Sequence, residues 1–188
     1  MILAGDIKPG TKVLYNNEPY QVTDTVFVKP GKGGAFVRTK MKNYITGLIR
    51  EVTFRTEEKL EQPDLVYRAV QFLYDQGNQA VFMDNESFEE TYVSKNDIKE
   101  FLIYLREQET YTILFWNDSF LSLIPPIHMN MKVVETPPGV RGDTAQGAAT
   151  KTATLETGLV VQVPLFVNVD DFVKIDTRTG DYIERVKN

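Results

Sequence analysis

The chain has 188 residues, no cysteine, one histidine and a formal net charge of −5 at pH 7. The absence of cysteine excludes disulfide bonds, thiolate metal sites and cysteine nucleophiles, and no apolar run approaches the roughly 20 residues of a membrane-spanning helix. The N-terminal residues have the pattern of neither a signal peptide nor a transit peptide, so we expect a cytoplasmic protein with no membrane partner.

Charge and predicted strands divide the chain into three stretches. Residues 1–63 hold 10 Lys or Arg and 7 Asp or Glu, residues 64–128 hold 4 and 11, and residues 129–188 hold 7 and 8. Each stretch consists of short predicted strands separated by turn residues, which is typical of small β-barrels. We therefore expect three all-β domains at 1–63, 64–128 and 129–188, of which the second is acidic.

The first domain is predicted to contain two hairpins and a further strand. Residues 12–15 and 20–22 flank a turn at 16–19, and residues 25–28 and 36–39 flank a loop rich in glycine. Residues 47–54 alternate between apolar and polar side chains as a strand does.

The loop of the second hairpin presents a lysine. Pro30 sets φ for the first central position of a β-turn, and Gly31 suits the positive φ that a type II turn needs next. Gly33 and Gly34 add backbone freedom without side-chain bulk. These four residues frame Lys32 as an exposed cation at the hairpin tip, although a lysine that merely aids solubility is an alternative interpretation.

A basic strand follows this loop. Residues 29–50 include six Lys or Arg and no Asp or Glu. Arg38, Lys40 and Lys42 are spaced by two, which places all three on one face of a strand. Together with Lys29 they predict contact with a nucleic-acid phosphate backbone. An ordinary solvated face is the alternative, but such faces normally mix charges of both signs.

The second and third domains are also predicted to consist mainly of strands. In the second, strands are expected at 69–74 and 80–83 around a turn at 75–78, and at 111–116 and 120–123. A helix is expected from Ser94 to about residue 107, because apolar residues recur at 98, 101, 102 and 105 and Ser94 with Asp97 resembles a capping box. The third domain opens at 131–135, has a loop at 137–151, and continues with strands at 158–163, 172–176 and 181–186.

Catalytic and cofactor signals are absent from the sequence. His128 stands alone, and a lone histidine without cysteine is more often structural than catalytic. The glycine-rich segments lack both nucleotide-binding fingerprints, and no nucleophile, base and orienting group can be assembled. We therefore expect a binding protein that is not an enzyme and uses no cofactor.

Several long segments resemble the bacterial elongation factor P family. They are KPGKGGAFVR at 29–38 with KMKN at 40–43, VVETPPGVRGDT at 133–144, TLETGLVVQVPLF at 154–166 and IDTRTGDYIERV at 175–186. The resemblance runs from end to end and implies a KOW/SH3-like barrel followed by two OB-fold barrels. It also implies an elongated, L-shaped arrangement similar to tRNA.

The resemblance also implies a function. Family members bind the ribosome between the P and E sites, contact both subunits and the P-site tRNA, and relieve stalling at consecutive prolines. Lys32 would be covalently extended by a lysine-modifying enzyme and would reach the CCA end of the P-site tRNA. Gly142, Asp143 and Thr144 would face the E-site codon and the small subunit, and Tyr182 and Arg185 would contact RNA near the anticodon stem.

Two functional hypotheses remain at this point. The first is a monomeric translation factor that acts by holding the P-site tRNA in place. The alternative is a generic OB-fold RNA-binding protein or RNA chaperone. Such proteins usually interleave exposed aromatic residues with basic ones, and the acidic second domain argues against it.

Overall fold

A computed structural model describes residues 1–31, 33–139 and 149–186. Lys32, Gly142, Asp143 and Thr144, which the sequence predicts as site residues, lie outside these ranges. The regular structure of the described residues is β-strand, as predicted, apart from two short 3-10 helices at Ala4–Asp6 and Lys99–Tyr104.

The strands are numbered in chain order. They are β1 Ile2–Leu3, β2 Lys12–Tyr15, β3 Glu18–Val28, β4 Phe36–Asn43, β5 Ile49–Arg55, β6 Lys59–Leu60, β7 Leu65–Gln76, β8 Gln79–Asp84, β9 Glu90–Ser94, β10 Thr110–Trp116, β11 Ser119–Ile124, β12 His128–Glu135, β13 Thr150–Leu155, β14 Val160–Pro164, β15 Phe172–Asp176 and β16 Asp181–Val186.

These strands form four sheets. Strands β2-β3-β4-β5 form one sheet in that order, and β1 pairs with β6. A second large sheet has the order β11-β10-β7-β8-β9, and a third has the order β14-β13-β12-β15-β16. By contacts the chain divides into two compact units, Met1–Val66 with Leu114–Ser122, and Tyr67–Ile113 with Leu123–Asn188. The division into three domains therefore stays a prediction.

The first sheet packs one face on a small core. The buried residues of this core are Ala4, Ile7, Val13, Tyr20, Val22, Val37, Met41, Phe54 and Leu60. Strand β4 alternates strictly: Val37, Thr39, Met41 and Asn43 are buried, and the three cations between them are exposed. This alternation confirms the predicted strand geometry and directs Arg38, Lys40 and Lys42 away from the core.

The predicted turn at 16–19 is too long. Asn16 and Asn17 both have positive φ, at 52° and 61°, and they alone join β2 to β3. Asparagine tolerates this left-handed conformation, and two such residues make the type I′ turn that matches strand twist. Pro19 therefore lies within β3, opposite Leu14. The turn predicted at 75–78 is shortened in the same way, since β7 extends to Gln76 and β8 begins at Gln79.

The predicted helix at 94–107 is wrong. Ser94 ends β9, and only Lys99–Tyr104 is helical, with 3-10 hydrogen bonds such as the Phe101 N–H to the Ile98 carbonyl. The Tyr111 hydroxyl donates to the Tyr104 carbonyl at 2.7 Å and accepts the Arg106 N–H at 2.9 Å. An α-helix extending to residue 107 would pair the Arg106 N–H with the Leu102 carbonyl, which here accepts the Leu105 N–H instead. A tertiary contact from β10 therefore ends the helix early.

The third large sheet corrects the predicted loop at 137–151. Strand β13 begins at Thr150 and pairs with β14, where the sequence predicted no strand. Lys151 is buried in β13 and its ammonium donates to the Pro137 carbonyl at 2.8 Å. The loop was predicted from its Gly, Pro, Thr and Ala content, but the threonines at its end suit a strand, because threonine is β-branched.

Candidate nucleic-acid interface

The loop of the β3–β4 hairpin has the predicted length. The last pair of the hairpin is Val28 with Phe36, so seven residues, Lys29 to Ala35, connect the two strands. The positive φ falls on Gly33, at 117°, and not on Gly31. The type II turn predicted at Pro30 and Gly31 therefore does not form, because such a turn needs a positive φ at Gly31.

The other loop glycines are not required by packing. A Cβ added at Gly31 or Gly34 would meet nothing within 4 Å. Of the three loop glycines predicted to frame the tip, Gly33 is the one whose backbone conformation requires glycine.

Two cations of this hairpin lie over aromatic rings. The Lys29 ammonium is 5.7 Å from the Phe27 ring centroid, and the Arg38 guanidinium carbon is 5.9 Å from that of Phe36. Phe27 is 51% exposed although it belongs to the strand. In the part of the chain that the structure describes, neither cation makes an ion pair with a carboxylate. Both charges are therefore available to an external anion.

Lys40 differs from its neighbours. Its ammonium is 3.3 Å from the Glu51 carboxylate on β5, and Asp24 of β3 lies opposite it on the other side. Residues 29–50 contain no Asp or Glu, but the folded sheet brings carboxylates from the neighbouring strands next to Lys40. Lys42 lies opposite Gln21 and Ile49, both uncharged. Of the three strand cations, Lys40 is the one already held by carboxylates.

The predicted C-terminal contacts lie on β16. The Arg185 guanidinium is 3.5 Å from the Asp171 carboxylate and 5.4 Å from the centroid of the exposed Phe166 ring. Burial raises the pKa of the Tyr182 phenol above its ordinary value. The structure thus brings Tyr182 and Arg185 onto one strand and Arg38, Lys40 and Lys42 onto another.

The sequence analysis missed Arg55 and Phe36 as possible site residues. They face each other across β4 and β5, and both are next to the loop that carries Lys32. A count of the cations on β5 as well as on β4 would have suggested Arg55. No metal-binding group of three or more His, Cys, Asp or Glu occurs in residues 1–31, 33–139 and 149–186. The helices within these ranges are too short and too polar to cross a membrane.

Comparison with known families accounts for almost the whole chain. The family models match in order: the elongation factor P KOW-like domain at residues 3–60, its OB domain at 65–123, and its C-terminal domain at 129–185. The chain belongs to the elongation factor P family. Its fold class is therefore all-β, with a KOW-like domain followed by OB-type domains, and its family is one of translation elongation factors.

Curated relatives agree with this membership, and a solved structure has a similar fold. Elongation factor P of Caldanaerobacter subterraneus subsp. tengcongensis is 46% identical over 186 residues, covering 99% of this chain and 100% of the relative. Elongation factor P of Ruminiclostridium cellulolyticum is 46% identical over 187 residues and covers 100% of both chains. Eukaryotic translation initiation factor 5A from Methanococcus jannaschii has a similar fold, with a TM-score of 0.56 and 22% identity over 66% of this chain and 93% of its own.

Proposed function

We propose that this chain binds the ribosome between the P and E sites and stimulates peptide-bond formation when consecutive prolines stall synthesis. Membership of the elongation factor P family supports the proposal. The observation that carries it is the exposed cationic face of β4, which leads directly into the loop of Lys32. A row of cations spaced by two along a strand can follow successive phosphates of an RNA backbone.

Lys32 is the active element in this proposal. It would be extended by a lysine-modifying enzyme and would lie along the CCA end of the P-site tRNA. Proline reacts slowly in peptide transfer, so the reacting ester must be held in alignment for longer. Small losses of alignment reduce reaction rates steeply. The chain would therefore act by positioning, with no proton transfer and no cofactor, as a binding factor and not as an enzyme.

A second contact region would orient the factor on the ribosome. Gly142, Asp143 and Thr144 would face the E-site codon and the small subunit, while Tyr182 and Arg185 would contact RNA near the anticodon stem. Phe166 under Arg185 gives that guanidinium a fixed orientation, which supports a role in RNA contact. The chain would act as a monomer with three domains, at 1–63, 64–128 and 129–188.

The alternative, a generic OB-fold RNA-binding protein, is disfavoured by the second large sheet. Tyr74 of β7 and Tyr92 of β9 flank Val81 in one row, and both tyrosines are exposed. The Tyr92 hydroxyl donates to the Glu90 carboxylate at 2.5 Å, and this bond raises the pKa of Tyr92. An aromatic face lined by carboxylates is unsuited to RNA, which needs aromatic residues interleaved with cations.

Replacement of Lys32 tests the proposed function. Lys32→Ala should abolish relief of stalling in a reconstituted translation assay with a polyproline message. Its thermal stability should stay close to that of the wild type, since exposed substitutions change stability by about 0.5 kcal/mol or less. Lys59→Ala, an exposed lysine of β6 in the same unit, is the matched control and should keep full activity.

Two results would contradict the proposal, one from the translation assay and one from RNA binding and ribosome co-sedimentation. If Lys32→Ala relieves stalling as well as the modified wild type, the loop is not the active element. If wild type and Lys32→Ala both bind free RNA tightly and fail to co-sediment with ribosomes, the chain is a general RNA-binding protein. Intact mass of the native protein, with peptide mapping, shows whether Lys32 carries an added group.

A further inference from the structure

A groove of about 660 Å³ lies beside the loop of Lys32. It is lined by the loop, by β4 and by β5, with Gly34, Phe36, Thr53 and Arg55 among its residues. Its volume lies within the range of about 300–1,000 Å³ that is usual for small-ligand sites. Gly34 is two residues from Lys32, so an RNA strand that approaches the loop also approaches the groove.

Two arginines are neighbours of Phe36 in the sheet. Arg38, two residues along β4, lies 5.9 Å from the ring centroid, and Arg55 lies directly opposite Phe36 on β5. Side chains at opposite positions of antiparallel strands have Cβ atoms about 4.5–5.5 Å apart, so the Arg55 side chain starts next to that of Phe36. Arg55 is exposed, and its guanidinium makes no salt bridge within the residues that the structure describes.

The polar groups of the groove complete its chemistry. The Thr53 hydroxyl is exposed, whereas the Thr56 hydroxyl donates to the Ala35 carbonyl at 3.3 Å. Glu57 also lines the groove, and the Glu58 carboxylate accepts the Arg55 backbone N–H at 3.3 Å. Arg55 is the cation and Glu57 the carboxylate of the lining, and Arg38 lies next to Phe36 without lining the groove itself.

We propose that this groove binds one nucleotide of single-stranded RNA, with the base against Phe36 and the phosphate on Arg55. An aromatic face between cations is the arrangement by which proteins hold unpaired bases without reading their sequence. A hydroxyl such as that of Thr53 can serve the ribose 2′-OH as donor or acceptor. The proposal rests on the proposed function, since it identifies where RNA beside the Lys32 loop is held.

Titration of the full-length protein with a single-stranded RNA tetranucleotide, followed by NMR, tests the groove. The amides of Ala35, Thr53 and Thr56 should shift, and inorganic phosphate at equal concentration should leave them unchanged. Phe36→Leu and Arg55→Gln should each weaken tetranucleotide binding by about tenfold. Arg50→Gln removes the same charge near the other end of β5 and should change binding by less than about twofold.

The outcomes separate this proposal from the proposed function. If phosphate alone shifts the same amides with the same affinity, or if the tetranucleotide shifts other regions, the nucleotide site is wrong. Arg55 is exposed, so Arg55→Gln remains informative even if Phe36→Leu is unstable. If the variants co-sediment with ribosomes like the wild type while the groove binds no RNA, only the groove proposal fails. If the wild type itself does not co-sediment, the proposed function fails.

Discussion

The cations of the β3–β4 hairpin and those of the C-terminal sheet differ in what already holds them. On the hairpin, Lys29 and Arg38 rest on aromatic rings and Lys42 faces uncharged neighbours. In the C-terminal sheet and its loops, four of the described cations are paired with carboxylates, and the buried Lys151 is bonded to the Pro137 carbonyl. These pairs are Lys132 with Asp170 at 2.8 Å, Lys174 with Glu184 at 3.2 Å, Arg178 with Asp176 at 2.5 Å and Arg185 with Asp171 at 3.5 Å.

This difference matters for RNA binding. A cation without a carboxylate partner can neutralise a phosphate and release a counterion, which increases affinity. A paired cation must first give up its partner, so its net contribution to binding is smaller. Both regions are predicted to contact RNA, but we expect the hairpin to supply affinity and the C-terminal sheet to supply orientation.

After the loss of activity expected for Lys32→Ala, the next largest effect is expected from replacing one arginine in each region, and this replacement tests the comparison directly. Arg38→Gln should weaken ribosome binding about threefold at moderate salt and reduce the slope of log affinity against log salt by about one. Arg185→Gln should weaken binding by less than about twofold with little change in slope, because Asp171 already offsets its charge. Ribosome co-sedimentation at three salt concentrations measures both.

Release of Arg185 from its carboxylate provides the control. Asp171 accepts a hydrogen bond from the Asn168 N–H at 2.8 Å. Asp171→Asn removes the negative charge but keeps an oxygen that can accept this hydrogen bond. Arg185→Gln should then cost more in the Asp171→Asn background than in the wild type. If Arg185→Gln reduces affinity and salt slope as much as Arg38→Gln in the wild type, the two regions do not differ as the structure indicates.

Much of the hairpin could be predicted from the sequence, but its electrostatics could not. Spacing by two fixes which side chains share a face of β4, and this holds for Arg38, Lys40 and Lys42. Pairing of Lys40 with Glu51 depends on the register between β4 and β5, which a count of charges along one strand does not contain. The same register hid the approach of Arg55 to Phe36. Site residues from neighbouring strands become visible only when the sheet order is known.

The largest error in the fold has a similar origin. Apolar residues at 98, 101, 102 and 105 satisfy the helical pattern, yet the segment forms only a short 3-10 helix. The Tyr111 hydroxyl that ends it comes from a strand later in the chain and is buried, which raises the pKa of Tyr111 well above its ordinary value. Arg106, beyond this point, donates to the Asn130 carbonyl at 2.6 Å and lies 3.5 Å from the Glu156 carboxylate. Local periodicity could not reveal these long-range contacts.

A smaller effect should separate two lysines of the same strand. Lys42→Gln should weaken ribosome binding by about twofold, whereas Lys40→Gln should have less effect because Glu51 and Asp24 already offset its charge. Glu51→Gln removes the ion pair of Lys40, so Lys40→Gln should reduce ribosome binding more in the Glu51→Gln background than in the wild type. Equal losses from the two single substitutions in the wild-type background would show that the Glu51 pair does not limit Lys40.

The smallest effect concerns stability, and it tests how firmly the C-terminal cations are held. The Arg178 guanidinium donates to both Asp176 oxygens, and the Arg178 backbone N–H donates to Oδ1 at 2.9 Å. These hydrogen bonds hold the pKa of Asp176 well below its ordinary value. A carboxyl group with a lowered folded-state pKa stabilises the fold at pH values above its unfolded pKa of about 3.9, and that contribution is lost as the pH falls further.

Substitution of Arg178 should therefore lower the stability of the fold at neutral pH and have little effect on it in acid. Arg178→Gln should lower the thermal unfolding midpoint at pH 7 by about 1–2 °C, since the pair is partly exposed. Its difference from the wild type should shrink steadily as the pH falls below about 4, because Asp176 then binds a proton in the unfolded chain while the folded wild-type pair still keeps its charge. Arg178→Lys keeps the charge but loses the second hydrogen bond of the guanidinium, so its unfolding midpoint at pH 7 should lie between those of the wild type and Arg178→Gln. A difference that stays constant from pH 7 to pH 2 would mean that Arg178 stabilises the turn by packing, and that this cation is not held by its carboxylate.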